Sequence, residues 1–384
     1  MKKNHVAIVS YNIHSDHLNY GAALHSYAFQ QYLLKNGIDS TIIDYFPLKI
    51  EMENKNLKYP ILSMKKHKQM SYYKNYIVNW GVGFFANIRK YNKFVNFFDD
   101  HCKTTNKTYF YSDLMRLDQI ENIDFSCFVC ESDVIWKTYP NFSLDNVFLL
   151  NIPSAEGKKK VAYAPTVGAY AFSSDEEFLM KEVSKKFCAI STRERQGAEY
   201  LTAILNRHVE WFLDPTLLLT DEDYLRIVKR PLIEEPYILL YNCIHNDHKM
   251  VEEAEKLAKK MGKKLVEVSN WTVNKILYNH KVVNDAGIEE WLGLFKYADM
   301  VICNAFHGFC FSVIFKKEVV LFVRDTSDYR MQNITEALGM SDRLISISKK
   351  EIPDNLPPIN WDEVYAKLNF ERSRAEAFIK KYVF

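Results

Sequence analysis

Asn304-Ala305-Phe306-His307-Gly308 is the segment of this chain best suited to proton chemistry. Histidine is the side chain whose ordinary pKa lies nearest neutrality, so it can give or take a proton at physiological pH. The apolar run Met300-Val301-Ile302-Cys303 precedes it, and apolar and small residues follow from Gly308 to Phe315. This order reads as a strand delivering His307 to a helix start. There the helix dipole disfavours protonation of the imidazole and favours an anionic ligand. Gly308 leaves room for a ligand at the backbone. Asn304, Phe306 and, one turn on, Ser312 complete the candidate contacts. The plain alternative is a packed structural histidine.

Three further polar clusters follow apolar runs. Ser191-Thr192-Arg193-Glu194-Arg195 offers arginine, whose planar fork matches phosphate or carboxylate; a surface Arg–Glu ion pair is the simpler reading. Glu131-Ser132-Asp133 places a carboxylate at a strand end, where it can orient or deprotonate a sugar hydroxyl, or merely cap a turn. Asn19-Tyr20-Gly21 opens a helix, with Asn19 as cap and backbone N–H groups that can receive an anion. Arg193 and Asp133 join His307 as candidate catalytic residues. Ser132, Glu194, Asn19, Tyr20 and Gly21 join Asn304, Phe306, Gly308 and Ser312 as candidate binding residues.

No metal is expected. His14 and His17 lie in a loop without evident partners, and the lone Cys127/Cys130 pair falls in an apparent strand, where residues three apart face opposite sides. Seven scattered cysteines without framework spacing fit a reduced, cytoplasmic protein. No signal peptide and no run of about 18 apolar residues is visible.

The elements that position these clusters alternate between strand and helix. Strands are expected at 5–11, 40–45, 127–130, 160–164, 189–192 and 209–213. Helices are expected at 20–36, closed by Gly37, and at 176–187 and 196–205. After a polar, proline-bearing stretch at 215–236 the scheme repeats. Strands fall at 237–241, 264–268, 300–303 and 319–323; helices fall at 247–261, 288–298, 308–315 and 361–382. The fold class is α/β: two Rossmann-like domains facing across a cleft, GT-B-like. The domains are 1–215, 216–350 and a terminal helical segment, 351–384, that packs back on the first. In open sheets of this kind ligands sit beyond the carboxyl ends of the strands, where all four clusters fall.

Net charge is only +2, yet no acidic residue lies between Glu53 and Asp99. That stretch holds nine basic residues, Lys55, Lys58, Lys65, Lys66, Lys68, Lys74, Arg89, Lys90 and Lys93, interleaved with aromatics. We read 51–99 as an insertion in the first domain. It suits an anionic membrane surface or a lipid-linked acceptor, or else forms a helix with a charged outer face and a buried aromatic one. Near-neutral charge and the lack of any nucleic-acid motif argue against nucleic acid.

Taken in order, the clusters resemble the polysaccharide pyruvyl transferases over residues 5–345. The family's N-Y-G-A-x-L-x-x-Y-A opening is matched by Asn19 through Ala28, and G-S-D-x-x-W by Glu131-Ser132-Asp133-Val134-Ile135-Trp136. Y-A-P-S-x-G stands as Tyr163 through Gly168, S-x-R-E-x-x-G as Ser191 through Gly197, and D-P-T-L-L as Asp214 through Leu218. N-S-F-H-G-x-x-F-S stands as Asn304 through Ser312. Glu131 replaces a glycine of that pattern, and Ala305 a serine. The resemblance implies a phosphoenolpyruvate donor, a sugar or lipid-linked oligosaccharide acceptor, a cyclic ketal product and no cofactor. It casts His307 as acid or phosphate contact, Arg193 as donor clamp and Asp133 as base. A GT-B glycosyltransferase using a nucleotide sugar, and a non-catalytic carbohydrate-binding relative, are the competing readings.

Overall fold

The computed structural model describes residues 4–15, 17–53, 70–139, 141–168, 172–243, 247–323, 329–346 and 351–384, with side chains of the 70–82 stretch left aside. The chain forms two compact units. Unit 1 comprises Met1–Lys55, Phe98–Leu219 and Asn369–Phe384; unit 2 comprises Asn56–Phe97 and Thr220–Leu368.

Unit 1 is built on a sheet of β1 (His5–Val9), β2 (Asp39–Ile42), β3 (Cys127–Glu131), β4 (Lys159–Tyr163), β5 (Ala189–Thr192) and β6 (Glu210–Trp211). Their order is β2-β1-β3-β4-β5-β6, and every pairing is parallel. Unit 2 repeats the plan with β7 (Tyr237–Asn242), β8 (Lys264–Ser269), β9 (Lys281–Val283), β10 (Met300–Cys303), β11 (Glu318–Val323) and β12 (Leu344–Ser346). Here the order is β12-β11-β10-β7-β8-β9, again all parallel. Strands such as Cys127–Glu131 and Tyr237–Asn242 are buried along their whole length, as expected where helices cover both faces of a parallel sheet.

Strand order fixes where ligands can enter. In unit 1 the connections run one way from β1 to β2 and the other way from β3 onward, so the order reverses between β1 and β3. In unit 2 it reverses between β7 and β10. At such points adjacent crossovers diverge and leave a crevice at the carboxyl edge.

The Tyr20–Lys35 helix follows β1 and is buried on nearly all sides. Gly37, at φ 76°, lets the chain leave it in the left-handed conformation. The Trp361–Tyr382 helix sets Phe378 against Phe212 and Tyr163 in unit 1, and Arg372 donates to the carbonyls of Leu217 and Leu219.

The basic insertion differs from its expected place. Its 32-residue helix, Met70–His101, belongs through Phe97 to unit 2 and not to the first domain. Contacts explain why. A Cβ on Gly83 would stand 2.7 Å from Thr272 Oγ1, and one on Gly287 would stand 2.9 Å from Lys93 Cβ. Arg89 pairs with Asp285, Lys90 with Asn270 and Lys93 with Glu290, while Phe94 and Phe97 are buried. These three cations therefore face protein partners. Lys55, Lys58, Lys65, Lys66 and Lys68, and the side chain of Lys74, lie outside the described residues. Among the described residues no helix is long and apolar enough to cross a membrane.

Candidate functional site

The reversal point of unit 1 gathers the first set of polar residues. After β3 the chain turns through Ser132 and Asp133, both left-handed at φ 47° and 50°, and Ala164 after β4 is left-handed at φ 56°. Non-glycine residues adopt this conformation at a cost of roughly 1–3 kcal/mol each, sustained where the surroundings impose it. Here the imposition is visible. Ser132 Oγ donates to Asp214 Oδ2 at 2.7 Å, Thr166 N donates to the Asp133 carbonyl at 2.7 Å, and Ala164 N donates to Ser191 Oγ at 3.0 Å.

Arg193 holds this frame together and is only 3% exposed. Its Nη1 meets Asp214 Oδ2 at 2.8 Å and its Nε donates to Thr166 Oγ1 at 3.0 Å. Arg193, cast as a donor clamp, is thus buried and paired with Asp214, and neither residue forms part of a surface ion pair. Asp214 in turn accepts from the backbone and hydroxyl of Thr216. Glu194 is buried as well.

Glu131, the residue that departs from the family glycine, turns into the protein. Both its oxygens lie 3.0 Å from His25 Nδ1, and Ser26 Oγ donates to Oε1 at 2.9 Å. His25 Nε2 lies 3.5 Å from Asp133 Oδ2. Burial alone would lower the His25 pKa, but Glu131 and Asp133 more than reverse this and push it up to about 10. The imidazolium therefore holds two carboxylates in place, and the extra charge of Glu131 is matched inside unit 1. Asp133, 7% exposed, also accepts from Val134 N at 2.8 Å.

Asn19 caps the Tyr20–Lys35 helix by accepting from Gly21 N at 2.9 Å; Tyr20 and Gly21 are buried. His14, expected to lack a partner, sits 3.1 Å from Asp44, which also accepts from Asn12 and Thr108.

The reversal point of unit 2 holds the second set. β10 delivers Asn304, whose Oδ1 accepts from Cys243 N at 3.0 Å and whose Nδ2 donates to Asn242 Oδ1 at 3.2 Å. The strand ends of β7 and β10 are thereby tied across the crevice. The Phe306–Ile314 helix then begins with Ala305 at its cap position and no side-chain cap, so the serine-to-alanine departure removes a capping hydroxyl. His307 lies in its first turn, 9% exposed, with its ring edge-on to Phe306.

Gly308 has a different role from the one expected. A Cβ there would stand 2.7 Å from the Tyr241 ring and 3.0 Å from Cys303 Cβ. The space beside it is filled by protein, so Gly308 lets the helix pack close to β7 and β10. Ser312 Oγ donates to the Gly308 carbonyl at 2.7 Å.

Several further polar residues, with little sign of a role in the sequence, sit in the same unit. Asn242 and Asn274 donate to Glu267 Oε1 at 3.3 and 2.7 Å, and His280 Nε2 lies 2.9 Å from Glu267 Oε2. A glutamate in the middle of the apolar run Lys264-Leu-Val-Glu-Val268 was the available signal. His25 gave a similar one, as an imidazole within a helix that is largely buried.

Fold and site together define a GT-B-like α/β protein with a polar cluster at the reversal point of each parallel sheet. The chain belongs to the polysaccharide pyruvyl transferase family, whose model matches residues 19–326. It is similar in structure to S. aureus MnaA in its UDP co-structure, with 11% identity, 97% of this chain and 89% of that chain covered, and a TM-score of 0.50. It is also similar to the UDP-GlcNAc 2-epimerase of Neisseria meningitidis bound to UDP-GlcNAc (10% identity, 97% and 94% covered, TM-score 0.47). The glycosyltransferase SnogD of Streptomyces nogalater gives 9% identity, 98% and 96% covered, and a TM-score of 0.43. At such identities the likeness is one of fold. No curated protein matches the chain.

Proposed function

We propose that the protein transfers the pyruvyl group of phosphoenolpyruvate to two hydroxyls of a sugar, as a cyclic ketal, and releases phosphate. The observation that supports this best is His307 in the uncapped first turn of the Phe306–Ile314 helix, at the β7/β10 reversal point of a chain belonging to this family. The reaction balances without an added oxidant or reductant. One hydroxyl adds to the enol C2 as C3 gains a proton, and the second displaces phosphate, which carries off that hydroxyl's proton.

In this reading His307 supplies the proton to C3 or contacts the donor phosphate. An uncapped helix start favours the negative charge of either donor group. Asp133 orients or deprotonates an acceptor hydroxyl. Arg193 serves the site by holding Asp214 and the Ser132–Asp133 turn, because its guanidinium is already engaged there. The acceptor is a sugar of a surface polysaccharide or its lipid-linked precursor.

Thermal unfolding with phosphoenolpyruvate, set against a panel of nucleotide sugars, tests the donor. A ligand at 100 times its Kd adds about 2.7 kcal/mol to folding stability, a readily measured rise in Tm. Stabilisation by phosphoenolpyruvate and not by nucleotide sugars is expected. The reverse pattern would replace this reading with a nucleotide-sugar glycosyltransferase.

A further inference from the structure

The basic insertion brings one of its lysines to the carboxyl edge of the second sheet. Lys90 is 4% exposed, and its Nζ donates to Asn270 Oδ1 at 2.9 Å. Asn270 follows β8 and is itself exposed; its Nδ2 lies 3.6 Å from Cys243 Sγ, just after β7. The backbone of Cys243 is held by Asn304, three residues before His307. One chain of contacts therefore runs from Lys90 across the ends of β8 and β7 to the β10 loop. All of it lies in unit 2.

From this juxtaposition we infer that Lys90 is a donor-binding residue, whose ammonium group receives the phosphate or carboxylate of the anionic donor at the β7/β10 crevice. The inference rests on the proposed phosphoenolpyruvate chemistry and adds to it a residue that none of the family-like segments contains.

Burying an ammonium group is costly unless it is hydrogen-bonded or paired, so a buried lysine at a sheet's carboxyl edge is a group that an anionic ligand would stabilise. The helix is fixed in register by close packing at Gly83 and Gly287 and by the Arg89–Asp285 and Lys93–Glu290 pairs, so Lys90 is held firmly in place. Asn270, one of its partners, is neutral and exposed and can yield to an incoming anion. Burial lowers the Lys90 pKa to about 8, opposed by Cys243 from the β7 end and by Asp285 from the loop after β9, which is itself paired with Arg89. The phenyl ring of Phe94 lies 5.6 Å from Nζ. An anion bound beside Nζ would raise that pKa, and its affinity would fall as pH climbs past 8.

The test compares wild type with Lys90→Met and Lys90→Arg by calorimetric binding of phosphoenolpyruvate, inorganic phosphate and pyruvate between pH 7 and 9.5. Lys90→Met should bind phosphoenolpyruvate at least tenfold more weakly and lose the decline above pH 8, with Lys90→Arg partly restoring affinity. A parallel loss for inorganic phosphate identifies the phosphate as the group held; a parallel loss for pyruvate identifies the carboxylate. A folded Lys90→Met protein with wild-type affinity and pH profile would overturn the inference while leaving the donor assignment standing. A wild type that binds no phosphoenolpyruvate would overturn both. Titration of the Lys90 Cε resonance in the wild-type protein needs no variant: its pKa should rise by about one unit with phosphoenolpyruvate, and an unchanged value would also overturn the inference.

Discussion

Replacing His307 with alanine is expected to leave a folded protein whose turnover falls by about 10²- to 10⁴-fold, the usual contribution of a positioned acid or base. The side chain lies in the first turn of the Phe306–Ile314 helix and keeps some exposure, whereas its neighbours Phe309, Cys310 and Phe311 are wholly buried. Alanine is a better helix former than histidine and leaves those packing contacts untouched. The loss should therefore fall on kcat with little change in Tm. Phe306→Ala would confuse the two effects, because Phe306 is a large buried side chain at the same helix start. An His307→Ala enzyme that turns over at the wild-type rate would remove the acid from the proposed mechanism.

The second large effect is expected from Glu131→Gln, and it depends on pH. His25 titrates near 6.5 when unfolded and at about 10 in the fold. Its raised pKa contributes stability that is fully present below pH 6.5 and lost as pH rises through 10. Glu131 is also raised, by burial first, with His25 and Ser26 opposing, and a raised carboxyl acts in the same direction. Glutamine keeps the shape but removes the charge that His25 balances. At pH 6.5 the substitution should cost about 3 kcal/mol, the lower end for breaking a buried pair. The gap to wild type should narrow steadily towards pH 10. Urea unfolding of both proteins across that range measures it, and a gap constant with pH would show that the pair carries no such linkage.

The alternation of strand and helix was legible because parallel strands buried on both faces read as short, continuous apolar runs. β10 and β5 fell at 300–303 and 189–192, as the sequence pattern placed them. β9 and β12 escaped because each has only three residues, too few to show a period. The four polar clusters were legible as strand ends, and the structure sets the Asp133 and His307 segments at reversal points. Pairings between distant residues were not legible. Asp214 lies 21 positions from Arg193 and Glu131 lies 106 from His25, so only the folded sheet reveals that each charge is matched.

The same limit explains the insertion. Its composition suited either an anionic surface or a helix with a charged outer face, and the partners Asp285, Asn270 and Glu290 are far along the chain. Local pattern describes an element's faces; it does not say which domain the element will cover. Glu131 shows the complementary case. Compared with the family motif alone it added an unmatched charge, whereas in the fold it turns away from the strand end and onto His25.

Pyruvyl transfer can be followed directly. Phosphoenolpyruvate labelled with ¹³C at C2 would be incubated with the protein and a panel of glycan acceptors, following the carbon spectrum and phosphate release together. The label is expected to appear as a ketal carbon on a sugar, with phosphate released in equal amount and only when acceptor is present. Transfer of a sugar from a nucleotide donor under the same conditions, with the labelled carbon remaining in phosphoenolpyruvate, would contradict it.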